Sequence, residues 1–198
     1  MAPLVSSRRR LLFGGLAAVA LPAWADREVE GFQFAERIEL AGSTLELNGV
    51  GLRAVAWLKG YAMALYMTQR TRDAAQAVAL AGPKRLQMRM LVDVDADEFV
   101  KAFVKGVSRN TPPGEQLRLE ERRKRFAAQI QALRRLRKRD TIDLDFVPAQ
   151  GLLMTVNGVP RGEPIAGADL YAALMRVFLG DHPADPELKA GLLGGPAI

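Results

Sequence analysis

The chain has 198 residues, a formal net charge of +6, no cysteine and a single histidine, His182. Thiol catalysis, cysteine-based metal sites and His-rich metal centres are therefore excluded, and a His-dependent triad would have to use His182. Three of the positive charges are Arg8, Arg9 and Arg10, so the chain from Asp26 onward carries only +3.

The first 25 residues read as an export signal. Ser7-Arg8-Arg9-Arg10-Leu11-Leu12 opens an apolar stretch to Leu21 that leaves through Ala23-Trp24-Ala25. A charged start, a short apolar middle and a small-x-small exit are the parts of a removable secretory signal. The stretch is diluted by Gly14 and Gly15 and falls short of the roughly 20 apolar residues of a spanning helix. The arginine pair before paired leucines fits twin-arginine export; an ordinary secretory signal with an extra arginine is the other reading. The expected mature protein, 26–198, is a single exported, periplasmic domain.

Strands dominate the next segment. Phe34 to Leu40 is followed by an Ala41-Gly42 turn, and Leu45 and Leu47 lead to Asn48-Gly49. Val50 to Met67 is almost wholly apolar with a break near Trp57–Gly60, as expected of strands covered on both faces. A helix is expected over 70–81, stopped by Gly82-Pro83. Leu86, Met88, Met90 and Val92 alternate with Gln87 and Arg89, which predicts a half-buried strand. Asp95-Ala96-Asp97-Glu98 has capping-box spacing, and Phe99, Val100, Phe103, Val104 and Val107 make a helical stripe. After Pro112-Pro113-Gly114 a long basic helix is expected over 115–139. Ile142, Leu144 and Phe146 alternate with Asp143 and Asp145. Leu152 to Val156 and an Asn157-Gly158 hairpin turn follow, then helices near 170–179 and 185–193. Clustered strands and helices predict an α+β fold, an antiparallel sheet with helices on one face.

Few residues stand out chemically. Arg53 lies in Val50-Gly51-Leu52-Arg53-Ala54-Val55, where a guanidinium is costly unless paired. A three-residue turn at Trp57 sets it opposite Tyr61, and a Lys59-Gly60 turn sets it opposite Tyr66; either way a phenol is its neighbour across the ladder. Two readings stand: an anion clamp, or an ion pair with an acid from elsewhere in the chain. The cations between Arg118 and Arg139 form a solvated face or a surface for anionic lipid headgroups or a partner. Nucleic acid is not expected, since no stacking aromatics are interleaved with them. His182, in Gly180-Asp181-His182-Pro183, reads as a loop residue. Asp93, Asp95 and Asp97 read as helix capping because the rest of a calcium loop is missing. No metal and no cofactor are expected.

Three stretches together resemble the chalcone isomerase-like superfamily, in its bacterial exported branch. They are Leu47 to Arg53 with Tyr61 to Tyr66, Asp140 to Pro148 running to Asn157-Gly158, and Leu170 to Leu179 with Gly180 to Asp185 and Leu188-Lys189. The resemblance implies an open-faced β-sandwich, with helices on a long antiparallel sheet and a cleft between them. In the family's plant isomerases a phenolate closes onto an enone in that cleft. It implies that the active-site arginine falls on Arg53. The family's threonine falls on Tyr61, its tyrosine and asparagine on Phe99 and Gly106, and its second threonine on Val177, so the polar set is lost. That profile is similar to the family's fatty-acid-binding members. The expectation is a non-catalytic binder of a small amphipathic anion such as a fatty acid, lined by Arg53, Tyr61, Tyr66, Phe99, Phe103, Gly106 and Val177. The alternatives are an isomerase or intramolecular lyase using Arg53, and a cell-envelope module whose basic helix 115–139 meets an anionic membrane surface.

Overall fold

The computed structural model describes residues 26–55 and 58–196. The export signal expected at 1–25 and the turn at Trp57 lie outside them. Strands β1 (Arg27–Val29) and β2 (Phe32–Phe34) form a short hairpin. β3 (Arg37–Leu40), β4 (Ser43–Val55) and β5 (Leu58–Met67) follow, then α1 (Ala74–Ala79), β6 (Lys84–Met90) and β7 (Val94–Asp95). Next come α2 (Ala96–Asn110), α3 (Pro113–Ala132), β8 (Arg135–Leu136), β9 (Thr141–Val147), β10 (Gly151–Val156), β11 (Val159–Pro160), α4 (Ala168–Leu179) and α5 (Pro186–Leu192).

Among the described residues seven strands form one sheet in the order β11-β10-β9-β6-β5-β4-β3, with every neighbouring pair antiparallel. This is the expected α+β sheet. Its hairpins close through Ala41-Gly42 and Asn157-Gly158, all four residues at positive φ, the left-handed pair that a tight two-residue turn needs. Alternation divides the sheet. Met63, Leu65, Leu86, Met88, Met90, Ile142, Leu144 and Met154 face α2, α3 and α4 in the main core. Ala62, Ala64, Tyr66, Val50 and Leu52 face the other way, under Phe34 and Val29 of the β1–β2 hairpin. Both faces of β4 and β5 are thus covered, as their continuous apolarity required.

The structure corrects two expectations here. The basic helix 115–139 ends at Ala132. Arg134 takes a positive φ of 61°, turning the chain so that β8 pairs with β7 and Leu136 is buried. Burial of Leu136 outweighs another helical turn, and the Arg134 carbonyl accepts a bond from the Ala96 amide at the start of α2 (3.0 Å). The capping box does not form either. Asp95 makes no side-chain cap bond and pairs with Arg135 at 2.9 Å. Glu98 pairs with Lys101 of its own helix at 2.7 Å, and Asp93 accepts from the Lys138 amide at 2.8 Å, so Asp93 and Asp95 pin the basic turn. Asp143 and Asp145, on the other face of β9 from Ile142 and Leu144, are both buried. Asp145 receives two bonds from Arg85, each 2.6 Å, and Asp143 one from Gln87 at 2.8 Å. Long polar side chains on β6 and β9 thus cover one another.

Candidate functional site

A register shift in β4 positions the site. Between Leu47 and Gly49 the ladder with β5 slips by one residue. The extra residue, Asn48, points out of the alternation. It donates to the Leu192 carbonyl (2.6 Å) and accepts from the Thr71 amide (2.7 Å). Beyond this bulge Leu52 stays on the outer face while Gly49, Gly51 and Arg53 face the helices. The two glycines admit α5: a Cβ on Gly51 would lie 2.6 Å from the Leu188 carbonyl oxygen, and one on Gly49 still closer to the Gly191 carbonyl. With α5 so close, its N-cap residue Asp185 reaches Arg53.

Arg53 pairs with Tyr61 across the ladder. Its Nη1 donates to Asp185 Oδ2 at 3.0 Å and to the Ala54 carbonyl at 2.7 Å. Asp185 divides its oxygens: Oδ1 accepts the Glu187 and Leu188 amides of α5. Arg53 therefore has an acid of its own, as the ion-pair reading required. Yet a single guanidinium nitrogen serves both bonds, and among the described residues Nε and Nη2 have no protein acceptor. The side chain is 27% exposed, and the space it faces is a cavity.

That cavity, about 540 Å3, lies between the sheet and α2, α3 and α4, within the roughly 300–1,000 Å3 of small-molecule sites. Its deep wall is apolar, with Met88, Ile142, Met154, Phe126 and Leu174. Phe103 and Phe126 meet edge to face there, centroids 5.1 Å apart. Arg53 and Tyr61 stand at the mouth with His182–Ala184 on one side and α2 on the other. The Phe99 ring lies 5.8 Å from that of Tyr61. Burial pushes the Tyr61 phenol well above its ordinary pKa, an effect the Arg53 charge only partly offsets, so Tyr61 stays protonated and is a hydrogen-bond donor. Gly106 on α2 is in contact with α4: a Cβ there would lie 2.6 Å from Val177 Cγ1.

Arg53, Tyr61, Phe99, Phe103, Gly106 and Val177 thus share one cavity. Tyr66 does not. It is even-numbered on β5 where Tyr61 is odd, and it lies buried on the outer face beside Ala62 and Ala64. Sequence reasoning missed Asp185 as the partner of Arg53, although an Asp before a Pro at a helix start is an N-cap signal. It also missed Lys105 and Arg109, which line the mouth from α2; their four-residue spacing was the available sign. Among the described residues no cluster of three His, Asp or Glu is placed to hold a metal, and no helix is long and apolar enough to cross a membrane.

A profile of chalcone isomerase-like proteins matches residues 26–194. The chain belongs to the chalcone isomerase-like family. The sheet of seven antiparallel strands and its helical layer are that family's fold in this sequence. A crystal structure of a fatty-acid binding protein of Arabidopsis thaliana has the same fold. It superposes with a TM-score of 0.63 over 82% of this chain and 92% of that one, at 15% sequence identity. No curated protein sequence matches this one.

Proposed function

We propose that this protein binds a small amphipathic anion, a fatty acid being the first candidate, and does not transform it. One observation carries the reading: an apolar cavity opens beside a guanidinium with two uncommitted nitrogens and a protonated phenol. An acyl chain along Phe99, Phe103 and Val177 would leave water at about 0.8 kcal/mol per methylene. Its carboxylate would accept charge-assisted bonds from Arg53 and a further bond from Tyr61. The fold shared with the plant fatty-acid binding protein supports this choice of first ligand.

Conjugate addition needs polar groups that orient substrate and water. At the corresponding places Gly106 lies against the Val177 methyl groups and Phe99 lies against Tyr61. Binding without turnover follows. Export belongs to the same proposal: with residues 1–25 removed, the protein would hold its ligand in the periplasm.

Organic extraction of the purified protein and mass spectrometry of the extract test the reading, with acyl anions expected. Arg53→Ala should weaken laurate binding; equal affinity would show the clamp to be wrong. Rapid cyclisation of a chalcone, lost in Arg53→Ala, would replace the binder with an enzyme.

A further inference from the structure

The mouth of the cavity carries more positive charge than one carboxylate uses. Arg53, Lys101, Lys105 and Arg109 line it, against Glu98 in the lining and Asp185 beside Arg53, so a balance of two positive charges remains. Lys101 is committed to Glu98 at 2.7 Å. Lys105 and Arg109 are exposed, and among the described residues neither has a carboxylate partner. They stand one turn apart on the side of α2 that carries Glu98, Ala102 and Gly106 into the lining. Arg109 lies in the last turn of α2, where the helix dipole by itself favours a cation. Lys105 is mid-helix and has no such explanation. From Glu98 to Arg109 this lip runs roughly 16 Å at the ordinary helical rise. Arg53, Tyr61 and the segment His182–Ala184 face it, and Asn110 clips that segment to the end of α2 through the His182 amide and carbonyl (both 2.9 Å). With Arg53 on one lip and Lys105 and Arg109 on the other, the apolar cleft presents a net positive field where a headgroup would sit.

We infer that the preferred guest is an acyl chain ending in a phosphomonoester rather than in a carboxylate, with Arg53 and Tyr61 reading the head from one lip and Lys105 and Arg109 from the other. The inference rests on the acyl-anion reading above and sharpens it. A carboxylate brings one charge and two oxygens, which Arg53 and Tyr61 satisfy. A phosphomonoester carries about −1.5 to −2 at neutral pH and three acceptor oxygens. It can engage a guanidinium fork and a lysine point charge together.

Calorimetric titration with laurate and with 1-lauroyl lysophosphatidic acid, both below their micelle concentrations, tests the assignment. The native protein should prefer the phosphate lipid about tenfold, the size of one further charge-assisted bond. In K105Q/R109Q the ratio should fall toward one. It should persist in R125Q, which removes an exposed cation of α3 that does not line the cavity. Glycerol 3-phosphate, the head without the chain, should not compete. Equal affinities in the native protein, a preference that survives K105Q/R109Q or one erased equally by R125Q each overturn the assignment. Competition by glycerol 3-phosphate alone would make this a free-phosphate site and overturn it too. If neither lipid binds, the acyl-anion reading falls, and this one with it.

Discussion

Asp185→Asn separates the two tasks of that side chain. The amide oxygen can still accept the Glu187 and Leu188 amides that Oδ1 accepts now, while the charge beside Arg53 disappears. A guest carboxylate on Nε and Nη2 would lie roughly 6 Å from the Asp185 carboxylate. At that distance two unit charges repel by about 0.7 kcal/mol in water and ~3 kcal/mol at an effective dielectric near 20. Arg53 is 27% exposed and Asp185 11%, so the value lies between these limits: at least about 1 kcal/mol, or roughly fivefold or more tighter laurate binding. The gain should shrink as salt is added. Asp185→Ala should show the same gain but also lose the cap, costing about 1 kcal/mol and lowering the melting temperature by roughly 2–4 °C. Titration calorimetry and thermal melts on the three proteins measure both quantities. If Asp185→Asn binds laurate no more tightly than the native protein, Asp185 does not compete with the guest, and the guanidinium is not where the anion sits.

Three further outcomes follow from the packing. Gly106→Ala drives a Cβ into Val177 and should cost about 1–3 kcal/mol. Val177→Ala in the same chain should recover at least about 1 kcal/mol of the summed losses in urea melts, whereas additive losses would place the two side chains out of contact. Asp145→Ala leaves the Arg85 guanidinium, 18% exposed, without its two-bond partner. It should cost about 3 kcal/mol, against under about 1 kcal/mol for Asp95→Ala in the exposed pair with Arg135; equal losses in denaturant melts would remove the special standing of the buried network. Burial holds Lys84 down at about 8 from 10.5, so between those values the unfolded chain binds more protons than the folded one. Stability should therefore rise with pH from about 8 to 10, and Lys84→Met should flatten that rise; an unchanged slope in the variant would assign the effect to other groups.

The sheet was legible because its information is local. Leu86-x-Met88-x-Met90 and Ile142-x-Leu144-x-Phe146 set one face of their strands, and Ala41-Gly42 and Asn157-Gly158 supply positive φ where hairpins close. The same rule is silent on the surroundings of Asp143 and Asp145. Alternation says which residues share a face; it does not say that the polar face meets water, and here Arg85 and Gln87 arrive from β6 to cover it. The end of α3 carried no Gly, Asn or Pro. The stop at Leu133 comes from Leu136 being buried opposite Val94, forty-two residues earlier in the chain.

The functional end of the cavity shows the same division with more at stake. Parity along β5 is enough to exclude Tyr66, because residues five apart on a regular strand face opposite ways. It does not by itself place Arg53, because the extra residue at Asn48 resets the count in β4. Without that bulge, residue 53 would share the face of Leu45 and Leu47, under the β1–β2 hairpin and away from every helix. With it, Gly49, Gly51 and Arg53 form a row, two positions with no side chain followed by the longest cation. α5 settles on the bare pair and its N-cap carboxylate reaches the third. The same displaced residue ties the far end of α5 through the Leu192 carbonyl. Asn48 thus positions the site without lining the cavity, and Arg53 opens onto the hollow because the strand beneath it is one residue out of step.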